Sequence, residues 1–330
     1  MKKRNWIIAA ALSATLFLSA CYAAAWLLIP ARGSFGSTWE SYLQEPENSI
    51  DVLFFGSSLT YCNIVPAVIY EETGVTTYLM AGSEQTLPLS YSYIREACRT
   101  QSPKLVALEI TGMFYPRYCN FTKVNVTYMP WSANRVQAIF TGAEPELRAG
   151  LLFPILDYHS RWREISRQEI ADRFHPQTDP LAGYTFLDSI SPQSQVTVRD
   201  YSAETENYAR NLEYLSRIAE FCEDKGMELM LFITPTKGRI PEDALETLRT
   251  DAAALGLEIR DFNEDMDTLA IDDNSDWFDF LHFNYRGAEK FSRVLSDHLI
   301  SEYTLTSTQN EDEPLWRQRA EHFAALLPKE

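Results

Sequence analysis

The chain contains no pair of cysteines at CxxC spacing, no internal repeat and no low-complexity tract. Cys62, Cys98, Cys119 and Cys222 are widely and irregularly spaced, which argues against a thiolate zinc site. Burial as small hydrophobes and, in an oxidising compartment, disulfide pairing both stay open for them. Positive charge is also scarce. Against 46 Asp and Glu stand 29 Lys and Arg, a net charge of −17. A nucleic-acid surface needs clustered Lys and Arg to meet phosphates, so no nucleic-acid partner is expected. The same balance disfavours a face resting on anionic lipid, and most of the acids read as a solvated surface. Histidine is limited to five residues, and no His/Asp grouping has metal-ligand spacing, so neither metal nor organic cofactor is implied.

What is present is a core. The chain is 45% hydrophobic and 13% aromatic over 330 residues, enough for one large domain or two smaller ones. At the N-terminus Lys2, Lys3 and Arg4 precede an uncharged run from Trp6 to Pro30. As a helix it rises about 37 Å, enough to cross a hydrocarbon core of about 30 Å. It exceeds the apolar core of a cleavable signal, so a retained anchor is expected, with the basic flank cytoplasmic and residues from about 32 onward outside. "LSAC", ending at Cys21, is an alternative lipoprotein box, although the apolar run continues past it without a polar tether. The expected division is 1–31 basic flank and anchor, 32–48 linker, 49–302 one domain and 303–330 a polar tail.

Within 49–302 strand-like and helix-like stretches alternate. "DVLFFG", "VTTYLMAG", "KLVALEIT", "MELMLFITP" and "LEIRDFN" are short apolar runs bounded by turn residues. Between them lie amphipathic stretches such as "SAETENYARNLEYLSRIAEFCEDKG". This predicts an α/β domain, a three-layer α/β/α sandwich on a parallel five-stranded sheet. The rhythm breaks at about 113–203, a segment too long for a simple loop and rich in Pro, aromatics and Arg. It reads as an insertion packed over the edge of the sheet formed by the strands' carboxyl ends.

In such a sheet, functional groups belong at the carboxyl ends of strands. There, "DVLFF" ends in Gly56-Ser57-Ser58. A serine hydroxyl becomes a nucleophile when an adjacent base takes its proton, and His has the right proton affinity. Of the five histidines only His282, in "DFLHFN", follows a strand with a carboxylate, Asp279, three residues before it. The rival readings are structural. Ser57 and Ser58 would cap a helix, Asp279 and His282 would form a turn, and Asn284 would cap the last helix. "DYHSRW" reads either as a packed aromatic knot or as His159, Arg161 and Trp162 lining a sugar or phosphate site. Tyr115, Tyr118 and Trp131 read as core or as a sugar platform.

"FFGSSL" and "DFLHFNYRG" resemble the first and last blocks of the SGNH/GDSL hydrolases, in order and at opposite ends of the domain. The resemblance covers about 49–302, less the insertion. It implies a flavodoxin-like SGNH fold with Ser58 as nucleophile, His282 as base and Asp279 as its orienting carboxylate. It further implies an oxyanion hole from the N–H groups of Ser58 and Gly82. The family's Asn after the third strand is missing from "ALEITGMFYP", so Thr111 or an insertion residue would replace it. With Gly-Ser-Ser and an anchor the chain resembles the D-alanine transfer proteins of teichoic-acid modification, and also relatives that handle acyl groups on cell-surface polymers. An envelope polysaccharide or teichoic acid would then be the partner, with an acyl-donor protein beside it. Rivals are an inactive polymer-binding scaffold and a metal-dependent phosphodiesterase.

Overall fold

The structure, a computed structural model, describes residues 2–31, 38–305 and 313–328. Parts of the expected linker (32–37) and tail (306–312, 329–330) lie outside the described residues. Five strands form one parallel sheet: β1 Val52–Phe55, β2 Thr77–Leu79, β3 Leu105–Glu109, β4 Glu228–Ile233 and β5 Ile259–Asp261. Their order is β2-β1-β3-β4-β5, with Phe55 opposite Leu108, Glu109 opposite Phe232 and Ile233 opposite Asp261. The helices used below are α1 Lys2–Leu28, α2 Ser58–Tyr61, α3 Pro66–Thr73, α4 Leu87–Ala97, α5 Glu206–Lys225, α6 Glu242–Ala254, α7 Tyr285–Glu302 and α8 Glu313–Leu326.

β1 is apolar at every position, and β3 up to Glu109, because both faces are covered, and alternate side chains enter different cores. Leu53, Phe55, Val106, Leu108 and Leu231 join one cluster with residues of α4, α5 and α6. Val52, Phe54, Leu105, Ala107, Met230 and Phe232 join the other with residues of α3 and α7. Helix ends follow local chemistry. α3 starts on Pro66, whose fixed φ suits a first turn, and α5 starts after Thr205, whose side chain accepts from the Tyr208 N–H.

Three expectations are corrected. The 32–48 segment is no linker from residue 38 onward. Trp39–Tyr42 forms a helical turn, and Trp39 and Tyr42 are 1% and 0% exposed in the first core, with rings against Tyr93 and Tyr78. Polar neighbours hid two aromatic anchors three residues apart.

The second correction is the tail. Residues 313–326 are α8, which lays Trp316, Ala320 and Phe323 in a helical stripe against the domain. Trp316 stacks on Tyr70 at 5.5 Å. Arg319, 1% exposed, is bonded to the buried Glu45 carboxylate and donates to the Asp179 carbonyl at 3.0 Å.

The third is the 113–203 segment, which wraps the domain rather than sitting over one edge. Its helices Ala133–Gly142 and Pro145–Leu152 lie on the α4 side. It then passes the free edge of β2, where Leu79 N–H donates to the Ala182 carbonyl at 3.0 Å. Tyr184 enters the opposite core, and Thr197–Val198 pairs in parallel with Gly238–Arg239. The open sheet edge supplies the reason: unpaired strand N–H groups demand a cover.

Arg4–Leu28 is 25 residues long and apolar enough to cross a membrane. Its last turns dock on the domain: Tyr22 OH donates to the Leu152 carbonyl at 2.6 Å, and Trp26 meets Phe174 at 5.1 Å. Cys62, Cys119 and Cys222 are buried free thiols, and Cys21 and Cys98 are free as well.

Breaking a buried ion pair leaves a charge without compensation, at a cost of about 3–5 kcal/mol. Arg319→Met is expected to lower unfolding stability by about that amount in urea titrations followed by tryptophan fluorescence. The Glu45→Gln/Arg319→Met double variant should lose less than the sum of the singles. Additive losses would show that the pair does not act as a unit.

Candidate active site

The carboxyl ends of β1, β3, β4 and β5 open onto one pocket of about 270 Å³, lined by Ser58, Thr111, Thr234, Thr236 and Asn263 among others. The turn that carries Ser58 into it begins at Gly56, with φ +147°. A Cβ there would lie 2.4 Å from Thr60 Oγ1 and 2.7 Å from Glu109 Cβ, so only glycine lets the chain pass between α2 and β3. The two serines then divide the roles that the sequence left open. Ser57 is the N-cap of α2: its Oγ accepts from Leu59 N–H at 3.3 Å and the residue is 1% exposed. Ser58 is the first helical residue, so its N–H has no acceptor within the helix ladder. Its Oγ lies 2.8 Å from His282 Nε2.

The other side of the imidazole is equally fixed. His282 Nδ1 is 2.9 Å from Asp279 Oδ2 and 3.0 Å from Oδ1. An ionised carboxylate only accepts, so Nδ1 carries the hydrogen and Nε2 is left to accept from the serine. Asp279 is held by its own turn as well, for Oδ1 accepts the N–H groups of Leu281 at 2.8 Å and His282 at 2.9 Å. Burial pushes the Asp279 carboxyl up, but the His282 ring and these two amides outweigh burial and hold it below the usual range. The turn closes with Phe278 N–H donating to the His282 carbonyl at 2.9 Å. Behind it, Trp277 packs on Phe283 at 4.5 Å. Asn284 caps α7, accepting from Arg286 and Gly287 N–H, and its amide donates to the Ser275 carbonyl at 2.7 Å.

One residue that sequence reasoning missed joins the two halves. Asn63, 0% exposed, follows Ser58 by five positions. Its Oδ1 accepts from Phe283 N–H at 2.9 Å and its Nδ2 donates to the Leu281 carbonyl at 3.4 Å. Both atoms therefore grip the chain on either side of His282. Nothing in a single sequence marks an Asn whose partners lie some 220 residues away.

Two of the expected oxyanion donors, Gly82 and Thr111, are already engaged. Gly82 N–H donates to the Gly56 carbonyl at 3.2 Å, extending the β1–β2 ladder. A Cβ at Gly82 would lie 2.3 Å from Asn125 Oδ1, so this glycine serves close packing. Thr111 does line the pocket, but its N–H (3.1 Å) and its hydroxyl both donate to Glu109 Oε1. Glu109 is 1% exposed, and burial pushes its carboxyl up to about 7 despite these two bonds. His159 and Arg161 are not at the site. His159 Nδ1 lies 3.0 Å from the Leu156 carbonyl, and Arg161 donates to the Leu28 carbonyl at 2.6 Å and to Glu169 at 2.8 Å. Arg161 thus closes the C-terminal end of α1, where orphan carbonyls attract cations. Trp131 also packs there, against Tyr22, whereas Tyr115 lines the Ser58 pocket. Among the described residues no group of three or more His, Cys, Asp and Glu is placed to hold a metal ion.

Two measurements test this geometry. Asn63→Ala removes both grips on the His282 turn, and a proton relay set a fraction of an ångström off loses rate steeply. Any turnover that depends on His282 is expected to fall about 10- to 100-fold, with kcat carrying more of the loss than KM. The second test uses Glu109. Its raised carboxyl keeps a proton in the folded protein at pH 5 that the unfolded chain has already lost. Between its ordinary 4.5 and about 7, rising pH therefore removes stability, by at most about 3 kcal/mol. Relative to wild type, Glu109→Gln should gain stability in urea titrations from pH 5 to pH 8. A difference independent of pH would refute the buried acid.

No protein-family profile matches the chain, and no curated protein matches it, so the residues themselves carry the functional reading.

Proposed function

We propose that the protein is a serine acyl-esterase or O-acyltransferase working through a Ser58 acyl-enzyme. The observation that carries this reading is the continuous chain Ser58 Oγ to His282 Nε2 at 2.8 Å and His282 Nδ1 to Asp279 at 2.9 Å. In the first step Ser58 Oγ attacks the ester carbonyl while His282 Nε2 takes its proton. The C–O bond to the leaving alcohol then breaks, and His282 returns the proton to that oxygen. In the second step water or an acceptor hydroxyl attacks the acyl-enzyme, His282 again accepting and then returning a proton to Ser58. Asp279 stabilises the imidazolium throughout. The Ser58 N–H, at a helix start, is the donor ready for the developing oxyanion.

The substrate class we propose is an O-acyl ester, acetyl or alanyl, on an envelope polysaccharide or teichoic acid. It is supported by the resemblance to SGNH hydrolases and by the candidate membrane-crossing α1. With the basic flank cytoplasmic, the site would face the outer side of that membrane. A second reading, a polymer-binding scaffold without turnover, draws on one observation: the N–H groups of Gly82 and Thr111 are already hydrogen-bonded.

Full-length protein in detergent, assayed with p-nitrophenyl acetate, separates the two. Ser58→Ala and His282→Ala are expected to lose at least about 1000-fold in kcat/KM, leaving the modest residual rate of binding alone. Ser57→Ala should cost about 1 kcal/mol of stability through the lost cap, with turnover kept within about tenfold. Intact mass should show an acetyl adduct on wild type and none on Ser58→Ala. A wild-type protein that forms no adduct and releases no p-nitrophenol, with the acyl esters of an envelope polymer also intact, would leave the scaffold reading.

A further inference from the structure

The wall of the Ser58 pocket formed by the ribbon of Thr197–Val198 and Gly238–Arg239 carries two arginines that form no ion pair among the described residues. Arg199 N–H donates to the Arg239 carbonyl at 2.8 Å, so the two residues sit side by side at the end of the ribbon. Both line the same pocket as Ser58. Arg239 Nη1 is buried and has no hydrogen-bond partner among the described residues. The Arg199 guanidinium lies over the rings of Tyr201 at 4.9 Å and Phe280 at 5.9 Å, which hold its plane without satisfying its donors. Neither guanidinium has a carboxylate at ion-pair distance among the described residues.

The acids around the pocket are already matched. Glu264 accepts from Arg249 at 2.6 Å. Asp261 Oδ1 accepts from the backbone and side-chain N–H groups of Asn263, at 2.9 and 2.7 Å, and Oδ2 faces Arg249 at 4.0 Å. Glu242 is exposed at the pocket mouth. Burial lowers the proton affinity of Arg239, with Asp261 opposing that from a distance. In a chain of net charge −17, two unmatched guanidiniums beside one serine are a local reversal of the general field. A guanidinium fork with free donors in a partly desolvated wall is complementary to a planar or tetrahedral oxyanion, which it meets bidentately.

We propose that Arg199 and Arg239 form an oxyanion-binding subsite, which takes a carboxylate or phosphate group carried by the ester that Ser58 attacks. This rests on the reading of Ser58 as nucleophile and narrows its substrates to acidic esters. The anion neutralises Arg239 Nη1, anchors the substrate in the 270 Å³ pocket and sets the ester carbonyl toward Ser58 Oγ. The group sits on the acyl half, as a dicarboxylic half-ester, or on the alcohol half, as a phosphorylated polyol.

The test measures binding apart from turnover. Full-length Ser58→Ala protein in detergent is titrated calorimetrically with glycerol 3-phosphate, monomethyl succinate and uncharged glycerol. At least one of the anions is expected to bind and glycerol is not. Glycerol 3-phosphate binding places the anion on the alcohol half, and monomethyl succinate binding places it on the acyl half. Adding Arg239→Gln or Arg199→Gln should weaken that binding at least tenfold. Arg239→Lys, which keeps the charge and loses the fork, should fall between and stands in if the glutamine variant fails to fold. Arg163→Gln, distant at the α1 end, should leave it unchanged. No anion binding, or binding unaltered by the ribbon variants, overturns the subsite. In parallel, wild type should prefer p-nitrophenyl hemisuccinate or an O-acetylated glycerol phosphate over its neutral counterpart. Anion binding without ester cleavage would retain the subsite and remove the nucleophile reading; cleavage with neither anion binding nor preference would do the reverse.

Discussion

The hydrogen bond between Ser58 and His282 spans 224 positions of chain, and the surrounding structure holds its two ends in register. On one side the Gly56 turn and the Ser57 cap aim the hydroxyl outward from the sheet. On the other, Asp279 takes both the ring and the backbone of its own turn, so the imidazole cannot swing without breaking several bonds. Asn63 then ties the second side to the first. On the proposed reading, preorganisation of this kind would keep the reacting atoms aligned before a substrate arrives, with no binding energy diverted into assembling them.

Much of this was legible in the sequence because it depends on local signals. The five strands are short apolar runs between turn residues, and each was placed by that pattern. The Asp279/His282 spacing is local too, since three residues suffice for one turn. What could not be read is set by long-range contact. Gly82 looked like an available amide, but strand pairing with Gly56 occupies it. Thr111 occupies the expected place, yet the Glu109 carboxylate two residues before it takes both its donors. His159 and Arg161 suggested a ligand site from composition alone, and the fold places them at the docked end of α1. Residues 38–48 and 313–328 were misassigned because charged neighbours diluted a few large aromatics. Their burial depends on partners far along the chain.

The electrostatic character of the molecule is similarly uneven. Its net charge says the surface is acidic and gives no hint of which cations stand alone. Two arginines near the sheet's carboxyl edge are matched, Arg249 to Glu264 and Arg260 to Asp265. Two on the ribbon are not. Such a site inside an acidic shell would repel anions at long range and hold them only at contact, which favours selectivity over speed of capture.

The pairing of Arg319 with Glu45 also governs the order in which the molecule can be made. Glu45 leaves the ribosome 274 residues ahead of Arg319, so the carboxylate does not meet its guanidinium until the whole sheet has been made. The sheet can gather earlier, but the socket around Glu45 stays open until Trp316 and Arg319 follow it. Closure of long loops is slow, and unfinished interiors invite aggregation. The nascent protein therefore needs shelter for longer than its five-stranded sheet alone would suggest.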